Sequence, residues 1–197
     1  MSGPRVLCIA GSPRRQGNSD RLLDALTVGV TAAGGTPVRL VASSLGIGGC
    51  DGCGGCSASG ECVTEDSMDE VYAMLDSARA IAVATPVYFA TVPSQLKTLI
   101  DRCQPYWARR YILGEPAPAR KRPGAVLVVG GGGDPFGTSC ALAPVRSAFA
   151  VLGVDGSVSL EIVGADGPAD IELQHDTLER AITIGRELVA AVGVHGP

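Results

Sequence analysis

Apolar residues fall in two rhythms along this chain. Arg5–Ala10 (RVLCIA), Ala80–Ala84 (AIAVA) and Ala125–Val129 (AVLVV) are short, nearly unbroken apolar runs, as expected of strands covered on both faces. Pro37–Val41 and a stretch near Val158–Val163 are β-rich and read as two further strands. Between them the spacing lengthens to three and four. Leu22, Leu23, Leu26 and Val30 share one side of a helix that opens at Asn18 or Ser19 and closes at Gly34-Gly35. Met68, Val71 and Leu75 mark a helix from about Asp66 to Ser77, and Leu96, Leu99 and Ile100 mark one from about Pro93 to Cys103. Helices are also expected through Val145–Leu152 and from about Ala169 to Val192. Gln104–Pro123 is polar, basic and proline-bearing, and reads as an excursion over the surface.

Strands alternating with helices demand a parallel sheet with right-handed crossovers. Five strands suit a flavodoxin-like, doubly wound α/β fold with helices on both faces better than a six-stranded dinucleotide fold. Ligands then sit at the carboxyl ends of the strands. The 197 residues are expected to form a single domain carrying a Gly/Cys-rich loop at about 45–65.

Charge and composition narrow the partners. A formal charge of −4 argues against a nucleic-acid footprint, which needs clustered Lys and Arg. Val6–Gly11 is too short for a signal-peptide core, and Pro86 and Pro93 interrupt the uncharged stretch Ala80–Leu96. No membrane partner and a cytoplasmic location are the expectation. Seven cysteines without a secretion signal favour metal or redox use over a disulfide framework.

The first candidate site is Gly11-Ser12-Pro13-Arg14-Arg15-Gln16-Gly17-Asn18-Ser19, between the first strand and its helix. That position offers unpaired helix N–H groups and the positive dipole end. Ser12, Asn18 and Ser19 add short polar side chains, and Arg14 adds a charge suited to phosphate. The loop lacks both the Walker spacing and G-x-G-x-x-G, so a mononucleotide monophosphate fits better than ATP or NAD. After the third strand come Pro86, Val87, Tyr88 and Phe89, a rigid turn with aromatics that can lie near a planar ligand. After the fourth come Gly130, Gly131, Gly132, Gly133 and Asp134, where missing side chains permit close backbone approach.

Cys50-x2-Cys53-x2-Cys56-x5-Cys62 places four thiols among small residues. A bacterial ferredoxin run starts alike but sends its fourth cysteine to another cluster, whereas the longer last gap here lets Cys62 fold back onto the same 4Fe-4S cluster. Structural zinc more often uses two knuckles across a longer spacer. Zinc, a redox thiol pair and an empty loop remain the alternatives. Cys8, Cys103 and Cys140 read as packing residues, and His175 and His195 as solvent-side.

GSPRRQGNS resembles the phosphate loop of the NADPH-dependent FMN reductase and iron–sulfur flavoprotein branch of the flavodoxin-like superfamily. The likeness continues through Thr85-Pro86-Val87-Tyr88-Phe89 and the helix Val92–Arg102. The cysteine run is similar to the compact motif of iron–sulfur flavoproteins, with Asp66 and Met68 following it. The resemblance implies FMN as cofactor, with the 85–89 segment bordering its ring and the glycine loop contacting it, although GGGGDPFG departs from the family's GGQE-type loop. It implies an oxidoreductase moving electrons between NAD(P)H or ferredoxin and a further acceptor. It also implies a homo-oligomer, dimer or tetramer, that brings one subunit's cluster near another's flavin. Pro105-Tyr106-Trp107 and Arg109-Arg110 are candidates for that contact, or else a solvated surface. A cluster-free NAD(P)H:FMN or quinone reductase and a flavin-binding electron carrier are the competing readings.

Overall fold

The computed structural model describes residues 3–118 and 121–194. Five parallel strands, β1 (Arg5–Ala10), β2 (Thr36–Val41), β3 (Ala80–Pro86), β4 (Arg122–Gly130) and β5 (Val154–Val163), form one sheet in the order β2-β1-β3-β4-β5. This is the doubly wound order expected from the sequence.

Strand alternation divides the interior into two cores. Leu7, Ile9, Ile81, Val83, Val126 and Val128 face one side, against helices α3 (Met68–Ser77), α4 (Ser94–Asp101) and α6 (Ser139–Val151), while the short helix α2 (Cys56–Ser59) lies in the cysteine loop. Val6, Cys8, Ala82, Ala84, Ala125 and Leu127 face the other, against α1 (Asn18–Ala32) and α7 (His175–Val194). Small residues dominate the second face, and the two helices over it touch through glycine. A Cβ on Gly29 would stand 1.9 Å from the Ile182 carbonyl oxygen, and one on Gly185 2.2 Å from that of Leu26. Burial drives the Cys8 and Cys103 thiols up to about 12, so both behave as inert packing groups.

The structure corrects several boundaries. Gln104–Tyr111 is not an irregular excursion but a helix, α5, with Pro105 in its first turn, where a missing N–H costs nothing. Its periodicity buries Pro105 and Ala108 and half-buries Tyr106, so the expected Pro105-Tyr106-Trp107 patch is divided. Only Trp107 of the three faces outward; it is joined there by Tyr111, Ile112 and Leu113. Helix α6 runs through Pro144 back to Ser139, and the burial of Ala141 and Leu142 compensates the hydrogen bond that proline cannot donate. Strand β5 starts at Val154, earlier than expected. The last helix starts at His175, after a 3-10 turn over Asp170–Leu173. His175 is exposed, while His195 lies outside the described residues. Among the described residues no helix is long and apolar enough to cross a membrane.

Candidate functional site

Three loops meet at the carboxyl ends of β1, β3 and β4. The Gly11 N–H donates to the Ala84 carbonyl at 2.8 Å, and a Cβ at Gly11 would press on Leu96 and Thr85. The first loop therefore lies flat against the start of the second. The Val87 N–H donates to the Val129 carbonyl at 2.9 Å, which carries the β3–β4 pairing into the second and third loops.

In the first loop, buried Ser12 accepts the Arg14 N–H at 3.0 Å through Oγ. Gln16 takes a left-handed φ of 58°, and its N–H donates to Asp20 Oδ2 at 2.9 Å. Gly17 caps α1 with no side-chain hydrogen bond, leaving the helix end to the loop. Ser19 is buried and Arg14 exposed. Asn18 also bonds across the fold. Its Nδ2 donates to the Ala165 and Gly167 carbonyls at 3.2 and 2.8 Å, and its Oδ1 accepts the Ile171 N–H at 3.2 Å. It pins the β5–α7 connection to the first loop, a role the sequence did not announce.

The second loop turns back on itself. Tyr88 and Thr91 exchange N–H···O bonds of 2.9 and 3.1 Å, with Phe89 and Ala90 between them at φ 47° and 56°. Two consecutive positive φ values define a type I′ turn, which non-glycine residues adopt only under strain. Phe89 at its tip is fully exposed. Asp134 of the third loop accepts the Ala90 N–H at 2.8 Å and the Phe136 N–H at 2.9 Å, so one carboxylate joins turn and glycine loop. Gly131 packs on Asp166, where a Cβ would come within 2.4 Å of Oδ1. Every sequence-expected residue of Ser12–Ser19, Pro86–Phe89 and Gly130–Asp134 thus lies at one end of one sheet.

The cysteine loop is a separate site. Cys50, Cys53, Cys56 and Cys62, all free thiols, line one cavity of about 510 Å³ together with Arg102, Gln104 and Pro105. No residue of the three loops above lines it. Among the described residues no three Cys, His, Asp or Glu groups stand close enough to hold a single metal ion. Burial pushes the Cys56 thiol up, with repulsion from Cys50, Cys62 and Cys53 adding to it. Burial pushes Cys62 up as well, but hydrogen bonds from Thr64 and the nearby Arg102 charge prevail and hold it below the ordinary thiol value. Arg102, 2% exposed, is the residue that sequence reasoning missed. Its Nη1 donates to Asp66 Oδ2 at 2.6 Å and its Nη2 reaches Cys62 Sγ at 3.6 Å. The guanidinium beside Asp66 holds that carboxyl at about 2.

Residues 4–160 match the NADPH-dependent FMN reductase family. The chain belongs to that family. It is 32% identical over 187 residues to an iron–sulfur flavoprotein of Archaeoglobus fulgidus, an alignment covering 95% of this chain and 80% of the relative. Among solved structures it resembles an azoreductase of Bacillus anthracis (TM-score 0.68, 21% identity, covering 93% of this chain and 99% of the other). It also resembles an NAD(P)H:quinone oxidoreductase of Methanothermobacter marburgensis (TM-score 0.66, 23% identity, covering 94% and 97%). At such identities these two establish the fold alone. Family membership makes the chain a flavin oxidoreductase.

Proposed function

We propose that this protein binds FMN across the three loops and a 4Fe-4S cluster on Cys50, Cys53, Cys56 and Cys62, passing electrons between NAD(P)H or ferredoxin and a further acceptor. The observation that carries the cluster is the shared cavity: four free thiols line one space of about 510 Å³ beside a buried guanidinium. A zinc ion, with sulfur ligands at about 2.3 Å, requires its thiolates to converge on one point. Four cysteines spaced Cys-x2-Cys-x2-Cys-x5-Cys on the wall of one cavity suit a multi-iron centre. The iron–sulfur flavoprotein relative supports the same reading.

FMN, when bound, exchanges electrons in pairs or singly, and a cluster exchanges them one at a time. The chain's own residues bind and orient. The α1 end, Ser12, Ser19 and Arg14 hold the phosphate, with Asn18 fixing the loop from behind. The 86–89 turn and the 130–134 loop, joined by Asp134, shape the space for the ring. We assign electron passage between the two sites to a homo-oligomer, as the family resemblance implies. The exposed apolar group Trp107, Tyr111, Ile112 and Leu113 is a candidate contact.

The test is an anaerobic titration of the loaded protein with NADPH and NADH, followed by ferricyanide or a quinone. Flavin bleaching by a pyridine nucleotide and steady turnover support the enzyme. Reduction by ferredoxin alone, with no pyridine-nucleotide turnover, assigns a carrier role. Failure of the apoprotein to bind FMN contradicts the proposal.

A further inference from the structure

Arg102 is a fully buried cation with more donors than its neighbours use. Nη1 donates to Asp66 Oδ2 at 2.6 Å and to the Gly48 carbonyl at 3.0 Å. Nη2 donates to Asp66 Oδ1 at 3.1 Å, to the Thr64 carbonyl at 3.5 Å and to Cys62 Sγ at 3.6 Å. Nε is buried without a hydrogen-bond partner. A clamp tying the cysteine loop to the end of α4 accounts for the contacts to Asp66 and the two carbonyls. It does not account for a guanidinium on the wall that four cysteines share, in contact with a thiol and with one N–H unused.

We infer that Arg102 tunes the reduction potential of the cluster, donating to the Cys62 sulfur and setting a fixed positive charge beside it, with Asp66 as the counter-charge that limits the effect. The inference rests on the cluster reading above. One-electron reduction adds one negative charge to the cluster and its thiolates. A buried cation at a ligand sulfur favours the reduced state, and hydrogen bonds to sulfur act in the same direction. Asp66, paired to the same guanidinium, opposes it. The two residues therefore act with opposite signs, which a merely structural pair would not do.

The test is an EPR-monitored redox titration of the reconstituted full-length protein, comparing wild type with Arg102→Gln, Arg102→Lys and Asp66→Asn. Arg102→Gln is expected to lower the midpoint by at least a tenfold change in the reduction equilibrium, about 59 mV for one electron. Arg102→Lys, which keeps the charge, recovers part of that shift. Asp66→Asn, which removes the counter-charge but not the side-chain volume, raises the midpoint. Unchanged midpoints, or shifts of the same sign in Arg102→Gln and Asp66→Asn, overturn the inference. Should Arg102→Gln fail to retain iron, Asp66→Asn decides: a raised midpoint supports the role, an unchanged or lowered one overturns it. Wild-type protein that takes up no cluster overturns the cluster reading itself, a result distinct from any variant's.

Discussion

The carboxylate of Asp134 accepts the backbone N–H of Ala90 at 2.8 Å, and this bond joins the glycine loop to the aromatic turn. Its other oxygen holds Phe136 within its own loop. The bond to Ala90 is half-buried and the one to Phe136 exposed, so each contributes about 1 kcal/mol. Asp134→Ala frees both loops, and FMN is expected to bind roughly ten to a hundredfold more weakly. Quenching of flavin fluorescence on titration measures this. Affinity equal to wild type would show that the clamp does not shape the flavin site.

Phe89 pays for its position in backbone strain. It sits at φ 47° with its ring fully in solvent, so it gains no burial in return. Phe89→Gly should stabilise the fold by about 1 kcal/mol, because glycine adopts positive φ freely. If the ring serves a ligand at the flavin face, turnover falls in the same variant as the melting temperature rises. A lower melting temperature would contradict the strain assignment.

Asn18 makes three hydrogen bonds across the 165–171 segment. Asn18→Ala is expected to cost about 2–3 kcal/mol in urea unfolding. FMN affinity should fall with it, since the loop behind the phosphate loses its anchor. Weakened FMN binding with unchanged stability would instead mark Asn18 as a direct phosphate ligand.

Asp66 makes the fold acid-sensitive. Its carboxyl is depressed from 3.8 to about 2 by Arg102. In that window the unfolded chain binds more protons than the folded one, so stability rises with pH. The contribution is complete above about pH 4 and disappears as pH falls through the folded value near 2. Fluorescence-monitored unfolding of apoprotein across that range should show the slope in wild type and a smaller one in Asp66→Asn. Equal slopes would remove Asp66 from the account.

Much of this fold is legible in the sequence alone. Ile81 and Val83 alternate with Ala80 and Ala82 inside an unbroken apolar run, so the strand and its two-sided burial were legible together. The loops after β1, β3 and β4 follow, because strand ends and glycines locate them. Helix α5 was not legible, since Pro105 reads as a breaker until it is seen in the first turn. Nor was Arg102. A cation after Leu99, Ile100 and Asp101 reads as a solvent-facing helix end, and only the return of residues 48–66 over α4 buries it. The role of Asn18 was hidden for the same reason, because its partners lie 147 to 153 residues away.

The most direct test of the two-cofactor account is one anaerobic preparation analysed for FMN, iron and sulfide, with EPR spectra before and after dithionite. The expected result is one FMN and about four iron and four sulfide per chain, with a reduced-cluster signal that Cys53→Ser abolishes while FMN stays bound. A yellow protein with stoichiometric FMN, no iron and no EPR signal after reconstitution would contradict it.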